Sequence, residues 1–405
     1  MSTALGERIV VTELLANAGG GGAQVSVQNL VERLDPARFD VEIISLGDGP
    51  AVRRLRAAGK TVHVVDEPED GAALAAVLAL LERRPPQVLH NHMYRAEVIG
   101  TRAALALAES GRPKPFVVGT VHSSRVRSVN DQQLLRRLTP SMDRLIAVSR
   151  SIVAKLVDEG RTTAPVDLIY NGVDLERYEY TEACCTLPEE YGFAEGSPMV
   201  GVIARLEPEK GHATLLDAWP IVDRQVPSAR LLIVGEGSQR EKLEAQAEAL
   251  GLLGDACEGD ACVGTRHARP GAKVVFTGLR DDVPAVTAAL DVAVLPSYRE
   301  AQGLAILEAL ALRRPVVASA VGGVTEMIEN ERTGLLVPPH DPVALGNAIA
   351  RVLTDHPLAD MIARAGHDLV LARFSLTAMV NAISSIYEVG GAVVATRSGE
   401  ARTAA

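Results

Sequence analysis

Short apolar runs alternate along this chain with longer segments whose apolar residues recur every three or four positions, the periods of buried strands and of amphipathic helices. Seven such runs begin at Ile9, Val41, Val62, Val88, Phe116, Leu145 and Val166, and six more at Val200, Leu231, Val274, Val292, Val316 and Leu335. Most carry no charge, which predicts strands covered on both faces. Between the first two lies a helical pattern with Val27, Leu30, Val31 and Leu34 on one side. Strand and helix in regular alternation predict parallel sheets layered with helices, an α/β class. Periodicity lapses between Glu176 and Pro198, where Cys184, Cys185, Pro188, Gly192, Gly196 and Pro198 cluster. The expected organisation is therefore a first domain over 1–178, a linker over 179–198, a second domain over 199–375, a helix over 376–390 and a disordered tail over 391–405.

Composition narrows the class. A chain of 405 residues is long for one domain and ample for two, and 47% apolar with 23% charged residues is a globular balance. The longest nearly uncharged apolar run, Gly71 to Leu81, is too short to span a bilayer. The start, MSTALGERIVV, lacks the pattern of a signal peptide, and four cysteines make no disulfide framework, so a cytoplasmic location is expected. The net charge of −10 resides almost wholly after residue 175, which argues against a nucleic-acid partner. One stretch departs from this: His122 to Arg150 holds six arginines and two aspartates. It reads as a solvated face, or as a surface for an anionic acceptor or for peripheral contact with a membrane.

Candidate chemistry concentrates between Pro296 and Glu326. After the Pro296-Ser297 break, Gln302-Gly303 opens a helix carrying Leu304, Ile306, Leu307 and Leu310, with Glu308 as its one acid. A helix start offers unpaired N–H groups and partial positive charge suited to a diphosphate, and Gly303 permits close approach. Glu300 and Glu308 stand eight residues apart, about 12 Å along a helical path. That is the scale of a nucleotide-diphosphate sugar. Glu308 in an apolar helix needs hydrogen-bond donors, which a ribose diol supplies, and Glu300 could accept from sugar hydroxyls. Two ordinary solvated acids remain the plainer alternative. Arg205 and Lys210, followed by Gly211 at another strand end, could neutralise a diphosphate, or could simply balance Glu207 and Glu209. The run Gly19 to Gly22 could bring backbone N–H groups to a phosphate or serve as a flexible turn. His90, His92 and His122 lie at strand ends, where ligands bind in open α/β sheets, although such histidines are often structural. An insertion over 252–272 with Cys257, Cys262 and His267 has poor spacing for zinc and reads as a surface loop.

These motifs come in an order that resembles a known family. Glu300 to Glu308 with Gly303 between, then PVVAS, GGVTE and TGLLVPPHDP, preceded by GVIARLEPEKG, LLIVGEGSQREKL, IYNGVD and the glycine-rich start, are similar to the family 4 retaining glycosyltransferases. The resemblance implies the GT-B fold, two Rossmann-like doubly wound domains facing a central cleft. It implies transfer of a hexose-type sugar from a nucleotide diphosphate with retention, no resident cofactor and no metal. It places Gly21 and Gly22 beside the reaction centre, His122 and Glu300 on the donor sugar, and Arg205 and Lys210 on the departing diphosphate. Gln302, Gly303 and Leu304 fall with the donor phosphates, Glu308 with the ribose, and Gly278 and Leu279 with the base. His90, His92 and Arg125 fall on the side of an acceptor that could be a small molecule, a glycan or a lipid-linked sugar. The helix from Leu376 would cross back to brace the first domain. Two positions depart from the pattern, Ala301 and Arg313, each where glycine is usual. Rival readings are a sugar phosphorylase, a nucleotide-sugar epimerase, a non-catalytic nucleotide-sugar-binding scaffold, and a nicotinamide oxidoreductase. The last lacks the required glycine spacing.

Overall fold

The computed structural model describes residues 8–178, 187–254 and 268–403, with side chains as far as 397. The insertion bearing Cys257, Cys262 and His267 and the pair Cys184-Cys185 lie outside the described residues. Compact packing divides the chain into two units, Met1–Gly172 joined by Leu376–Ala405, and Val173–Ser375.

The first unit is built on seven parallel strands, β1 (Ile9–Leu15), β2 (Phe39–Ser45), β3 (Val62–Val64), β4 (Val88–His92), β5 (Phe116–Val121), β6 (Arg144–Ala147) and β7 (Val166–Leu168), in the spatial order 3-2-1-4-5-6-7. The second has six, β8 (Met199–Ile203), β9 (Arg230–Val234), β10 (Val274–Gly278), β11 (Val292–Leu295), β12 (Val316–Ser319) and β13 (Leu335–Val337), in the order 10-9-8-11-12-13. Each sheet grows outward from its first strand and then resumes on that strand's other side. The chain therefore reverses direction between β1 and β4, and again between β8 and β11. At such a point successive loops diverge and leave a crevice beyond the strand ends. The candidate residues at Arg205, Lys210, Glu300, His92 and the glycine run all fall in the two crevices.

The central strands of both sheets are buried as their largely apolar sequences predict, while the edge strands β3, β7 and β10 are only partly covered. In the second unit Val200, Val202, Leu231, Ile233, Val292 and Val294 pack under Trp219, which is wholly enclosed. The segment expected to be a linker contributes to a core. Leu187 and Tyr191 pack against Met199, Leu232 and Val234, because isolated large apolar side chains bury even without helical periodicity. The expected disordered tail also differs, since one helix runs from Leu376 to Thr403. Its Leu376, Met379, Val380, Ile383, Tyr387 and Val394 form one apolar stripe packed with Val11, Val88, Phe116 and Val118, so the helix packs within the first unit. Among the described residues it is the one helix long and apolar enough to cross a membrane, and its apolar stripe is spent on this sheet.

Arg313 adopts φ +54° just past the helix Leu304–Ala311, the left-handed position that ends many helices and favours glycine. Removing the Cβ relieves strain of about 1–2 kcal/mol, offset by about 0.5–1 kcal/mol of extra unfolded-chain entropy. Arg313→Gly should therefore hold or raise the melting temperature, whereas β-branched Arg313→Val should lower it. The order of the two midpoints in thermal denaturation checks this.

Candidate functional site

The second unit's crevice is assembled by two loops that touch. After β8 the chain makes a single tight turn, Pro208–Lys210, and passes through Gly211 at φ +70°. A Cβ at Gly211 would stand 1.9 Å from the carbonyl oxygen of Pro296, so only glycine lets this loop lie against the one that follows β11. The Tyr298 N–H donates to the Glu209 carbonyl at 2.8 Å and ties the loops together. The result is a short ion pair, Lys210 Nζ to Glu300 Oε1 at 2.5 Å, with Ser297 Oγ donating to the same oxygen at 2.9 Å. Both charged side chains are largely enclosed. Arg205 differs, being over half exposed and paired with Glu209 at 3.1 Å. Such a surface pair is weak, so the guanidinium can be redirected at small cost.

Beyond Glu300 the backbone turns at Gly303, φ +95°, into the helix Leu304–Ala311. No side chain caps that helix start, which leaves its first N–H groups for another acceptor. Gln302 beside it is buried. Glu308, further along the same helix, accepts a hydrogen bond from the Tyr178 hydroxyl, and the enclosure of its carboxyl raises its pKa. Burial, and then Glu308 itself, pushes the Tyr178 phenol upward as well. Gly278 ends β10 at φ +72°, and the next residue, Leu279, is 70% exposed. An exposed leucine at a strand end offers an apolar surface for a flat ring. Sequence reasoning missed Ser297 and Tyr178, and neither stands at a spacing that marks it.

In the first unit, pairing of β1 with β4 and of β4 with β5 aligns Glu13 with His90 and His92 with Thr120. Strand alternation places all four on one face, with His122 two residues past Thr120. They are not exposed. Glu13 and His90 are fully buried and His92 nearly so. The Tyr387 hydroxyl, from the C-terminal helix, lies 2.6 Å from both Glu13 Oε1 and His90 Nδ1, while His90 Nε2 meets Thr120 Oγ1 at 2.6 Å. His90 has both nitrogens committed inside the protein, which removes it from the acceptor contact expected of it. His92 Nε2 meets Glu13 Oε2 at 2.7 Å, and its Nδ1 meets His122 Nε2 at 3.1 Å. Only His122 keeps partial exposure. Burial, and then the neighbouring imidazoles, holds His90 and His122 well below the ordinary histidine range. Glu13, His90 and His92 bring ligand atoms within 4.8 Å of one another, a set that could hold a metal ion. An ion there would have to displace the Tyr387 and Glu13 bonds. Gly21 and Gly22 begin the helix Gly22–Arg33, again without a side-chain cap, and Arg125 is exposed beyond β5.

Comparison with known proteins bears on the whole chain. Residues 20–177 match the model of Glycosyltransferase Family 4, and residues 197–355 that of Glycosyl transferases group 1. The chain belongs to glycosyltransferase family 4. Among its relatives, the alpha-D-kanosaminyltransferase of Streptomyces kanamyceticus is 28% identical over 68% of this chain and 71% of its own length. The D-inositol 3-phosphate glycosyltransferase of Salinispora tropica is 26% identical over 85% of this chain and 76% of its own. The Anabaena protein Alr3699/HepE, solved with UDP and glucose, superposes with a TM-score of 0.81 at 22% identity, covering 94% of this chain and 100% of that one. It has also been solved with UDP-glucose. The fold is thus the GT-B fold that the motifs imply, with a Rossmann-like sheet in each unit. The kanosaminyl and inositol-phosphate enzymes differ in substrate, so membership does not by itself name donor or acceptor for this family 4 chain.

The raised Glu308 pKa has a definite sign in stability. Below the ordinary carboxylate range both folded and unfolded chains are protonated there and the group is neutral in effect. Above it the unfolded chain ionises more readily, so stability falls with rising pH. Glu308→Gln should therefore melt higher than the parent near pH 7 and lose that advantage towards about pH 4. Melting curves across that range test the sign.

Proposed function

We propose that this family 4 enzyme transfers a hexose-type sugar from a nucleoside diphosphate donor to an acceptor hydroxyl, with retention at the anomeric carbon and without a metal ion. The observation that carries this reading is the switch-point crevice of the second unit. Lys210 is held there by Glu300, beside a mobile-headed cation, Arg205, and the uncapped start of the helix at Gly303. Each element is poised for negative charge. The Alr3699/HepE structures with UDP and with UDP-glucose support a nucleotide-sugar donor.

In this reading the protein's chemistry is electrostatic. As the bond from the anomeric carbon to the phosphate oxygen breaks, charge grows on the departing diphosphate. Lys210, Arg205 and the helix N–H groups receive it, Arg205 by turning from Glu209 to the phosphate. Glu300, relieved of part of its Lys210 contact, accepts from sugar hydroxyls. Glu308 exchanges the Tyr178 hydroxyl for the ribose diol, and Leu279 carries the base. His122 contacts the donor sugar. Arg125 lies on the side of an acceptor that is a small molecule, a glycan or a lipid-linked sugar, and the site is cytoplasmic.

A panel of nucleotide sugars, scored by thermal stabilisation and then by release of the nucleoside diphosphate, identifies the donor and separates an enzyme from a binding scaffold. Product analysis separates transfer from phosphorolysis or epimerisation. Lys210→Ala should keep its fold and lose about 100- to 1000-fold in turnover, since one aimed electrostatic donor is worth that much. Near-normal turnover would remove Lys210 from the leaving-group role. Two cations and a helix terminus also make a divalent ion superfluous. Activity should survive exhaustive chelation; loss on chelation with recovery on adding Mg²⁺ or Mn²⁺ would contradict this.

A further inference from the structure

The loops that follow β4 and β5 meet at the rim of the first unit's crevice. Tyr94 opens the helix Tyr94–Glu109 after β4, and residues 122–128 lead from the end of β5 to the helix Val129–Leu138. The Arg127 guanidinium lies over the Tyr94 ring, 4.4 Å from its centroid. That ring is anchored in turn, because its hydroxyl donates to Asp131 Oδ1 at 2.5 Å. Arg127 is thus half-buried on an aromatic support at the strand ends, where ligands enter an open α/β sheet.

Neither Arg127 nor its neighbour Arg125 has an anion to answer it. Among the described residues neither guanidinium makes an ion pair or a hydrogen bond. The acids within electrostatic reach of Arg127 are Asp131 and Glu159, and both are spent. Asp131 accepts from the Tyr94 hydroxyl and from Ser128, while Glu159 pairs with Lys155 and Arg161. Enclosure, and next the charge of Arg125, lower the Arg127 pKa from its ordinary value, though a guanidinium stays charged. Enclosing a cation beside another without a counter-ion is unfavourable, and a ring face compensates only in part. Elsewhere the enclosed guanidiniums are answered, Arg161 by Glu97 and Arg280 by Glu190 and Asp282.

We propose that Arg127, seated on Tyr94 and assisted by Arg125, binds a phosphate group carried by the acceptor. This rests on the glycosyl-transfer reading only in calling the ligand an acceptor. A guanidinium presents parallel N–H groups that match two oxygens of a phosphate, a fit that a sugar hydroxyl cannot complete. A phosphate monoester brings close to two charges and three oxygens, which serves both arginines at once, where a carboxylate brings one charge and two oxygens. The surroundings bear on what carries the phosphate. Val126, between the two arginines, is 70% exposed, and Val129 is 68% exposed. An apolar fringe beside an anion site accommodates a lipid phosphate as well as a soluble sugar phosphate.

Isothermal titration of the full-length protein with hexose 6-phosphates, each beside its unphosphorylated hexose, tests this without a donor. At least one phosphate should bind at least about tenfold tighter than its parent sugar, and Arg127→Gln should weaken that phosphate about 10- to 100-fold. Lys210→Ala should keep the affinity, which separates this site from the second unit's crevice. Arg127→Lys should recover part of the loss, since it returns the charge without the fork. Exposed Arg125→Gln, with no packing to disturb, should also weaken the phosphate and spare the plain sugar. Sedimentation with phosphatidylcholine vesicles, with and without phosphatidic acid, tests the lipid source. Binding that needs phosphatidic acid and is lost in both Arg127→Gln and Val126→Asp assigns the phosphate to a lipid. Sugar-phosphate binding that Val126→Asp leaves intact assigns it to a soluble acceptor. The proposal is overturned if neither probe binds, if vesicle binding is indifferent to Arg127, or if Arg127→Gln weakens phosphorylated and plain sugars alike, the mark of a purely structural arginine. Phosphate binding without any nucleotide-sugar binding would sink the transferase reading and leave this site standing; transfer to uncharged acceptors alone would do the reverse.

Discussion

A parallel sheet hydrogen-bonds all along its strands and needs helices on both faces, so small polar ligands can reach it only beyond the strand ends. The rest of this molecule follows from that constraint. In both sheets the strand order reverses beside the first strand, which opens a crevice at one defined place in each unit. In the second unit the crevice is lined by the loops after β8 and β11, drawn together because Gly211 has no Cβ to strike Pro296. Lys210, Arg205, Glu300 and the helix start at Gly303 converge there by topology.

The two crevices solve the cost of polar burial differently. In the second unit, charge is paired but exchangeable: Lys210 with Glu300, Arg205 with Glu209, Glu308 with Tyr178. Each pair satisfies its groups when no ligand is present, and each can trade a partner for a ligand atom. In the first unit the pairs are permanent. Glu13, His90, Thr120 and Tyr387 are closed off from water, and a buried network of that kind is tolerated only when every donor finds an acceptor. The second unit's crevice is therefore suited to holding a ligand's charge, the first unit's buried cluster to keeping its polar groups paired with one another.

Much of this was legible in the sequence. The thirteen strands among the described residues coincide with the apolar runs, most of them free of charge, because burial in a parallel sheet leaves a strong compositional mark. The loops carrying Lys210, Glu300 and Gly303 were legible because their residue types and order are tied to backbone geometry. What escaped was set by distant contacts. Glu13 within β1 carries no local mark of burial, since its partners come from β4 and from Tyr387, 374 residues away. His90 stands at a strand end and reads as accessible, yet the C-terminal helix covers that face. Tyr178 closes the expected first domain without any mark of a site, yet it bonds Glu308.

The central claim is that the second unit's crevice is built for a diphosphate. Isothermal titration of matched nucleoside mono- and diphosphates against the parent protein and Lys210→Ala tests it most directly. The account predicts that the cognate diphosphate binds at least about tenfold tighter than its monophosphate, about 1.4 kcal/mol, and that Lys210→Ala erases most of this preference. Equal affinity for the two, or a preference untouched by the loss of Lys210, would contradict it.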